Sequence, residues 1–517
     1  MHAGGIVKTV IAASALQKIA LFISAFSFAC SFTCNELNLR LIKQEGQETR
    51  CGQTIITADD RSYLDPAENF IKGMGFRENA PGRGSYFLRP PGYSLFYMAF
   101  RSLTNEENAL WLLKMAQLLL FSLSVYCLFF IAFACFQSGR WAIVVSIIYG
   151  CTPLCCGFLY YTLTEGITPA LMIFYAFFLI RAHSQKQRKS KTLHYLLGSA
   201  VFSFLFITRP VMGIAGLALP VFLVCDYFGK TRIHNFMLLL FVCGFTAAAP
   251  MLLWQFRNYH IAGRYVGLHP VYYPENNYVF RPAHRALWEF EKSWGSRGDA
   301  FHGSIMPVWK ACLEGDSSEH WIDTLLQNVP EYVINRFGQD QLRDIFGKYR
   351  GSMLTQMRYK ERGLPMPAVI SREEKEVVEG FTALADTFRR EFPFRYLLGA
   401  PVKTLGRMIF HSNLSLYMFQ HTFRGRWWME GLRYLFFIIH SLSFSLFLLA
   451  LLRKMKVTHV FTVLIPLIYL AYLAFFQRGV EERYTLPVLP LVLLGAGGVA
   501  AHYLGIARSA GRKFFSR

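Results

Sequence analysis

The sequence predicts an all-α polytopic membrane protein, and three observations support this fold class. Hydrophobic residues make up 53% of the 517 positions and charged residues only 17%, whereas soluble proteins carry about 25% charged residues. Apolar runs recur along the chain, and each approaches the roughly 20 residues that a spanning helix needs. Basic residues cluster in short connections between the runs, as they do in cytoplasmic loops.

The same features weigh against other classes of protein. The net charge of +21 alone is compatible with nucleic-acid binding. In a chain this apolar, basic cytoplasmic loops and attraction to anionic lipids explain it better, so no nucleic-acid partner is expected. The 11 cysteines form no metal or disulfide pattern. Whether Cys34 and Cys51 pair is left open, because the spacing alone gives no Cα separation.

Ten apolar runs are predicted to span the membrane. The first is interpreted as a retained helix rather than a cleaved signal peptide, because it is long and is followed by further runs. In order, the runs cover 6–32, 109–135, 141–160, 166–182, 194–208, 212–228, 235–255, 430–452, 458–476 and 485–505.

Charge in the short connections gives the orientation. With ten spans, all four basic clusters lie on the side of the N-terminus, which is therefore cytoplasmic. The clusters are Lys186 to Lys191, Lys230 with Arg232, Arg453 to Lys456, and the tail from Arg508 to Arg517. The opening loop, residues 256–428 and the links near Glu165 and Arg483 are then external.

These assignments divide the chain into three parts. Residues 1–255 form an N-terminal transmembrane module that includes a first external loop, 33–108. Residues 256–428 are too long for a bare loop, and their helical periodicity predicts a mainly helical external domain. Residues 429–517 form C-terminal transmembrane helices and a basic cytoplasmic tail.

The most unusual stretch is the polar segment from Thr57 to Tyr93 in the first external loop. It opens with Asp59 and Asp60, and an apolar period from Tyr63 onwards predicts a short interfacial helix that ends at a glycine-rich turn. Because proline favours a helix start after it, Pro90-Pro91 predicts a second interfacial helix over about 92–103.

These pieces resemble polyprenyl-phosphate-sugar-dependent glycosyltransferases of the GT-C fold. The similarity is to family 39-type enzymes, namely the protein O-mannosyltransferase-like and lipid A aminoarabinose transferase-like groups. The matching pieces occur in family order over most of the chain but not over 265–425. They are Asp59 with Tyr63, Gly73-Met74-Gly75-Phe76, Arg89-Pro90-Pro91, Thr164-Glu165, Thr208-Arg209-Pro210, Trp254 to Tyr259, and Glu482-Arg483-Tyr484.

The resemblance implies a site and an inverting sugar transfer. Asp59 would be the general base. Glu165 would be a second catalytic acid that orients the acceptor, assists the base or joins Asp59 in holding a divalent cation. Arg89 would hold the lipid phosphate, where the aminoarabinose transferase group has a lysine. The further substrate-binding candidates are Asp60, Tyr63, Arg257, Arg483 and Tyr484.

Structural alternatives remain for the main candidates. Asp59 also fits a helix N-cap, and Glu165 fits a partner of a helix dipole. Arg89 fits a solvated charge. For Arg257 and Arg483, contact with lipid headgroups is an alternative.

The implied partners are a polyprenyl-phosphate-sugar donor, membrane lipids, and a glycolipid, glycan or protein acceptor. The histidines are not spaced as a metal pair, so no metal ligands are assigned, and a divalent cation stays open. A bacterial inner membrane is the expected location.

Two other functions are kept as alternatives. A transporter or flippase for lipid-linked sugars would place its charges at mid-membrane in broken helices, whereas the acids here lie at the external ends. A non-catalytic scaffold with a GT-C-like shell would not need Asp59.

Overall fold

The structure is a computed structural model. It describes residues 3–46, 48–57, 59–79, 86–87, 89–263, 265–267, 282–294, 305–364, 369–410, 425–452, 457–478 and 482–515. The basic cluster Arg453 to Lys456, Arg517, His269 and His302 lie outside the described residues.

Helices account for almost all of the described elements. In chain order they are α1 (Ala3–Gln44), α2 (Asp60–Ile71), α3 (Gly92–Arg101), α4 (Glu106–Phe136), α5 (Gly139–Cys151), α6 (Pro153–Cys156), α7 (Thr168–Ser184), α8 (Arg188–Thr208), α9 (Ala218–Tyr227), α10 (Ile233–Ala262), α11 (Pro282–Ser293), α12 (Met306–Leu313), α13 (His320–Gln327), α14 (Glu331–Phe337), α15 (Gln339–Glu361), α16 (Arg372–Glu391), α17 (Ala400–Ile409), α18 (Trp427–Leu449), α19 (Ile465–Tyr472) and α20 (Leu489–Phe515).

Short irregular turns extend several of these helices. A 3₁₀ turn, Pro210–Leu217, leads into α9, and a second, Ala450–Leu452, ends α18. Turns of π-helix flank α19 at Val460–Leu464 and Leu473–Gln477, and another, Arg395–Gly399, precedes α17. Isolated 3₁₀ turns cover Thr164–Gly166 and Glu482–Thr485. Two strands, β1 (Thr49–Arg50) and β2 (Thr54–Ile55), pair antiparallel with Thr49 opposite Ile55.

The predicted fold class, an all-α polytopic membrane protein, is confirmed. Among the described residues, seven helices are long and apolar enough to cross a membrane. Shorter apolar helices cover Gly139–Cys151 and Leu489–Leu504. Each of the ten predicted runs overlaps helical residues, and the run 141–160 is divided between α5 and the four-residue α6.

Helix α1 continues well beyond its apolar run, to Gln44. The extension packs on the bundle through buried polar residues, and the Asn35 side-chain amide donates to the carbonyl of Cys156 over 2.8 Å. Buried amides need such partners, and hydropathy does not register them. Cys34 and Cys51 near this end are free cysteines.

The first external loop folds into the two predicted helices, α2 and α3. Tyr63 and Ala67 of α2 are buried, whereas Phe70 and Ile71 are exposed. Gly73 and Gly75 follow α2 with φ of +76° and +80°, a conformation that favours glycine.

Helices α11 to α16 share a hydrophobic core separate from that of the spanning helices. Leu287, Phe290, Phe346 and Phe381 lie at its centre. Arg478 connects this region to the link before α20, because its guanidinium donates to the carbonyls of Lys292 and Tyr396 over 3.2 and 2.8 Å. The described residues between 282 and 409 are thus mainly helical, as predicted.

Helix α8 gives a structural basis for the orientation. Its 21 residues span about 30 Å, roughly the hydrocarbon thickness of a bilayer. Its first turn contains Lys189, and its last residue, Thr208, packs against Gly92 in the first external loop. The basic cluster and the loop with Asp59 therefore lie at opposite ends of α8.

We therefore expect residues 61 and 189 to lie on opposite faces of the membrane. The test labels Arg61→Cys and Lys189→Cys with an impermeant maleimide in intact spheroplasts, in a background without the exposed native Cys51 and Cys225. Only Arg61→Cys should react before lysis. Equal reaction at both sites would refute the ten-span topology.

Candidate active site

The adjacent acids Asp59 and Asp60 have different surroundings. Asp60 opens α2 with a side chain that is 2% exposed, and its Oδ2 lies 2.7 Å from Arg50 Nη1. Its Oδ1 accepts a hydrogen bond from Thr162 Oγ1. Asp60 thus lies in a buried contact between the loop and the segment after α6, and its predicted role in substrate binding stays a prediction.

Asp59 lies one residue before α2 and belongs to a different cluster. Asp59 occupies the N-cap position of α2, but its side chain makes no capping hydrogen bond there. Asp59 Oδ1 accepts a hydrogen bond from Arg89 Nη2, and the two side chains are 30% and 33% exposed. Arg483 Nη2 lies 3.8 Å from Asp59 Oδ2. A partly exposed carboxylate between two guanidinium groups remains within reach of solvent and substrate.

Arg89 is held in place by α2. Its Nε donates to Ser62 Oγ over 3.2 Å, and its guanidinium lies 5.1 Å from the centre of the Tyr63 ring. A ring face at this distance attracts a cation. The tyrosine is itself fixed, because its backbone carbonyl accepts from Ser94 Oγ over 2.7 Å. Tyr63 thus acts as a platform for Arg89.

Glu165 forms a buried ion pair in the link before α7. Its Oε1 accepts a hydrogen bond from Arg209 Nη1 over 2.9 Å, and its side chain is only 4% exposed. Burial alone disfavours the ionised form, but the guanidinium groups of Arg209 and Arg483 outweigh burial and lower the pKa of Glu165. Glu165 therefore stays charged and positions Arg209.

Tyr484 joins the two ion pairs into one cluster. The guanidinium groups of Arg209 and Arg483 each lie 5.6 Å from the centre of its ring. Its backbone carbonyl accepts a hydrogen bond from Tyr469 Oη of α19 over 2.8 Å. The cluster accordingly brings together residues from the first loop, the link before α7, the end of α8 and the link before α20.

Two glycines permit this convergence of elements. A Cβ at Gly92 would lie 2.6 Å from the Cα of Thr208, so the start of α3 packs directly on the end of α8 beside Arg209. A Cβ at Gly166 would lie 2.9 Å from Gln117 Cδ. Real Cβ atoms do not approach so closely, and the absence of a side chain is what the packing requires.

Arg257 is not part of this cluster in the described contacts. Its guanidinium donates to the carbonyls of Phe76 and Tyr86 over 2.6 and 2.8 Å. It also lies 4.4 Å from the centre of the Trp254 ring. Arg257 thus holds the segment that follows α2, and its predicted contact with a substrate stays a prediction.

The sequence motifs did not predict a role for Arg209, although Thr208-Arg209-Pro210 is one of the pieces that carry the resemblance. A usable signal was present, because Arg209 directly follows an apolar run, where ionisable residues are costly without a function. Its partner Glu165 lies 44 positions away, and hydropathy does not pair residues so distant in sequence.

The described residues include no group of three or more His, Cys, Asp or Glu side chains arranged to hold a metal ion. Glu165 and Asp59 each face arginines, which repel cations. The described part of the chain therefore offers no candidate ligands for a divalent cation.

The charge of the cluster favours an anionic ligand. Three guanidinium groups, of Arg89, Arg209 and Arg483, face two carboxylates, of Asp59 and Glu165. One positive charge is left over among these five side chains. Arginine binds phosphate through paired hydrogen bonds, and the partly exposed carboxylate of Asp59 lies beside two of these guanidinium groups.

Comparisons with known proteins give distant similarities. No family model matches the chain, and no curated protein matches it. The crystal structure of ArnT from Cupriavidus metallidurans bound to undecaprenyl phosphate shares 13% identity, with 93% of this chain and 76% of that chain covered and a TM-score of 0.36. The apo structure of the same protein gives 13% identity, coverage of 96% and 77%, and a TM-score of 0.33. Likenesses this distant do not establish an activity for this chain.

Proposed function

We propose that this integral membrane protein is an inverting glycosyltransferase of the GT-C type. It moves a sugar from a polyprenyl-phosphate donor to a glycolipid, glycan or protein acceptor. The transfer takes place on the external face of the membrane, which is a bacterial inner membrane. The observation that carries the proposal is the cluster in which Arg89 and Arg483 face the accessible carboxylate of Asp59, while Arg209 pairs with Glu165 and shares the Tyr484 ring with Arg483. The ordered sequence motifs support it independently.

The three arginines of the cluster can bind the phosphate group of the donor. A sugar on a lipid phosphate is already activated, and its transfer leaves a phosphate with one more negative charge. Arg89 and Arg483 both face Asp59, and Arg209 is held nearby through Tyr484 and Glu165. Preorganised cations of this kind stabilise charge that develops on a leaving group.

Asp59 can act on the hydroxyl group of the acceptor. In the proposed step, the Asp59 carboxylate accepts the proton of the acceptor hydroxyl as its oxygen attacks the anomeric carbon. The bond from that carbon to the phosphate oxygen breaks, and its electron pair stays on the phosphate. A single displacement inverts the anomeric configuration. Asp59 thus acts as a general base.

The first activity test concerns Arg89. We expect Arg89→Ala to raise the donor KM about 10- to 100-fold, because a hydrogen bond to a charged group contributes about 1.5–3 kcal/mol. Arg89→Lys should retain part of the donor affinity, since the charge survives but the paired donors do not. Steady-state kinetics with varied lipid donor in nanodiscs measure both variants.

Arg61→Ala is the matched control, because Arg61 is an exposed arginine on α2. It should keep the wild-type donor KM. An unchanged KM in Arg89→Ala would remove Arg89 from the donor site. Flipping of the donor without formation of a glycosylated product, measured in proteoliposomes, would favour the transporter alternative instead.

A further inference from the structure

Ser62 is a hydroxyl side chain of α2 that contacts both of the groups assigned to the proposed reaction. Its Oγ donates a hydrogen bond to the backbone carbonyl of Asp59 over 2.8 Å. The same oxygen accepts a hydrogen bond from Arg89 Nε over 3.2 Å. The side chain is only 9% exposed, so water has little access to these contacts. One hydroxyl group thus joins the backbone of the base to the side chain of the arginine.

The bond to the carbonyl sets the direction of this hydroxyl. A serine hydroxyl has one proton and two lone pairs, and its proton here is used by the carbonyl of Asp59, three positions earlier. The lone pairs are left for a donor, which the Nε–H group of Arg89 supplies. Ser62 therefore presents an acceptor to Arg89, in a direction that the start of α2 fixes.

The contact determines which edge of the Arg89 guanidinium faces α2. Nε and Nη2 lie on one edge of this planar group, and they donate to Ser62 Oγ and Asp59 Oδ1 respectively. The end that carries Nη1 makes no hydrogen bond to the described residues, and the side chain is 33% exposed. That end is available to the oxygens of a phosphate group.

The two other partners of Arg89 do not hold this orientation by themselves. The Tyr63 ring attracts the cation at 5.1 Å from its centre, but a ring face does not select one edge of the guanidinium. Asp59 loses its charge in the proposed step, when it accepts the acceptor proton, and its bond to Arg89 then weakens. Ser62 is neutral and keeps its contact through that step.

We propose that Ser62 is a positioning residue for the proposed glycosyl transfer, on which this inference rests. It holds Arg89 by Nε, so that the Nη1 end of the guanidinium is directed at the donor phosphate while Asp59 takes up the proton. Ser62 itself makes no bond to the substrate. It orders a long, flexible side chain before the donor binds, which lowers the entropy cost of binding.

The test measures the binding of radiolabelled polyprenyl phosphate to purified protein in nanodiscs, because this binding does not require turnover. Ser62→Ala should raise the Kd about 3- to 10-fold, as expected for one lost hydrogen bond. Ser62→Thr keeps the hydroxyl and should bind nearly as well as wild type. Ser102→Ala is the matched control, because Ser102 is an exposed serine at the end of α3, and it should keep the wild-type Kd.

A double variant distinguishes positioning from a general structural role. If Ser62 acts through Arg89, Ser62→Ala should have no further effect on the Kd in the Arg89→Ala background, because the effects of coupled residues are not additive. A purely structural Ser62 would raise the Kd by the same factor in both backgrounds. That result, or a wild-type Kd in Ser62→Ala, would overturn the proposal.

If Ser62→Ala does not fold, Ser62→Cys takes its place in both backgrounds, because a thiol accepts hydrogen bonds only weakly. The same comparison then decides. Binding of polyprenyl phosphate without sugar transfer by wild type would refute the proposed function, whereas equal effects in the two backgrounds would refute only the role of Ser62. Absence of binding by wild type would overturn both.

Discussion

Asp59→Asn should lower the rate of sugar transfer by about 10²–10⁴, the usual contribution of a general base. The amide keeps the size of the side chain and can still contact Arg89, but it cannot accept the acceptor proton. Since Asp59 and Arg89 are both about a third exposed, the lost ion pair should hardly change stability. Product formation by purified variants in nanodiscs measures the effect.

Donor binding is the internal control for this variant. Asp59→Asn should bind the lipid donor at least as well as wild type, because it removes a negative charge next to the phosphate site. Near-normal turnover in a well-folded Asp59→Asn protein would exclude Asp59 as the base.

Asp60→Asn should change stability rather than chemistry. Asp60 is 2% exposed and pairs with Arg50. Removing one partner of a buried ion pair costs about 3–5 kcal/mol. We expect about 3 kcal/mol here, because Arg50 keeps its second partner, Glu106, at 2.6 Å. The measurement is the midpoint of thermal unfolding in detergent, compared with that of Asp59→Asn.

The two neighbouring variants therefore separate stability from catalysis. Folded Asp60→Asn protein should transfer sugar at a rate within a few-fold of wild type, whereas Asp59→Asn should unfold at the wild-type temperature but transfer poorly. Full stability combined with lost transfer in Asp60→Asn would mean that the wrong aspartate has been assigned as the base.

Much of the fold was predictable from local patterns. The apolar runs predicted the helices because a bilayer requires long continuous stretches of apolar residues. Gly73 marked the end of α2, because glycine permits backbone angles that other residues avoid. Pro90-Pro91 marked the start of α3, because proline restricts the backbone angle φ. The extension of α1 to Gln44 was missed, since buried amides such as Asn35 stabilise it through distant carbonyls.

The site was predictable only in part, because sequence does not show which way neighbouring side chains point. The motif pattern identified Asp59, Tyr63, Arg89, Glu165, Arg483 and Tyr484, which the structure brings together. It grouped Asp60 with Asp59, although the start of α2 turns Asp60 towards Arg50 and Thr162.

The most direct test of the central claim is mass spectrometry of glycoconjugates from a deletion strain, alone or complemented with wild type, Asp59→Asn or Glu107→Gln. Glu107→Gln is the control, because Glu107 is an exposed carboxylate at the start of α4. One glycolipid, glycan or protein fraction from the deletion strain should lack the mass of one sugar. Wild type and Glu107→Gln should restore that mass, and Asp59→Asn should not, although it is present in the membrane in equal amount. Full restoration by Asp59→Asn, or no mass difference in any fraction of the deletion strain, would contradict a glycosyltransferase centred on Asp59.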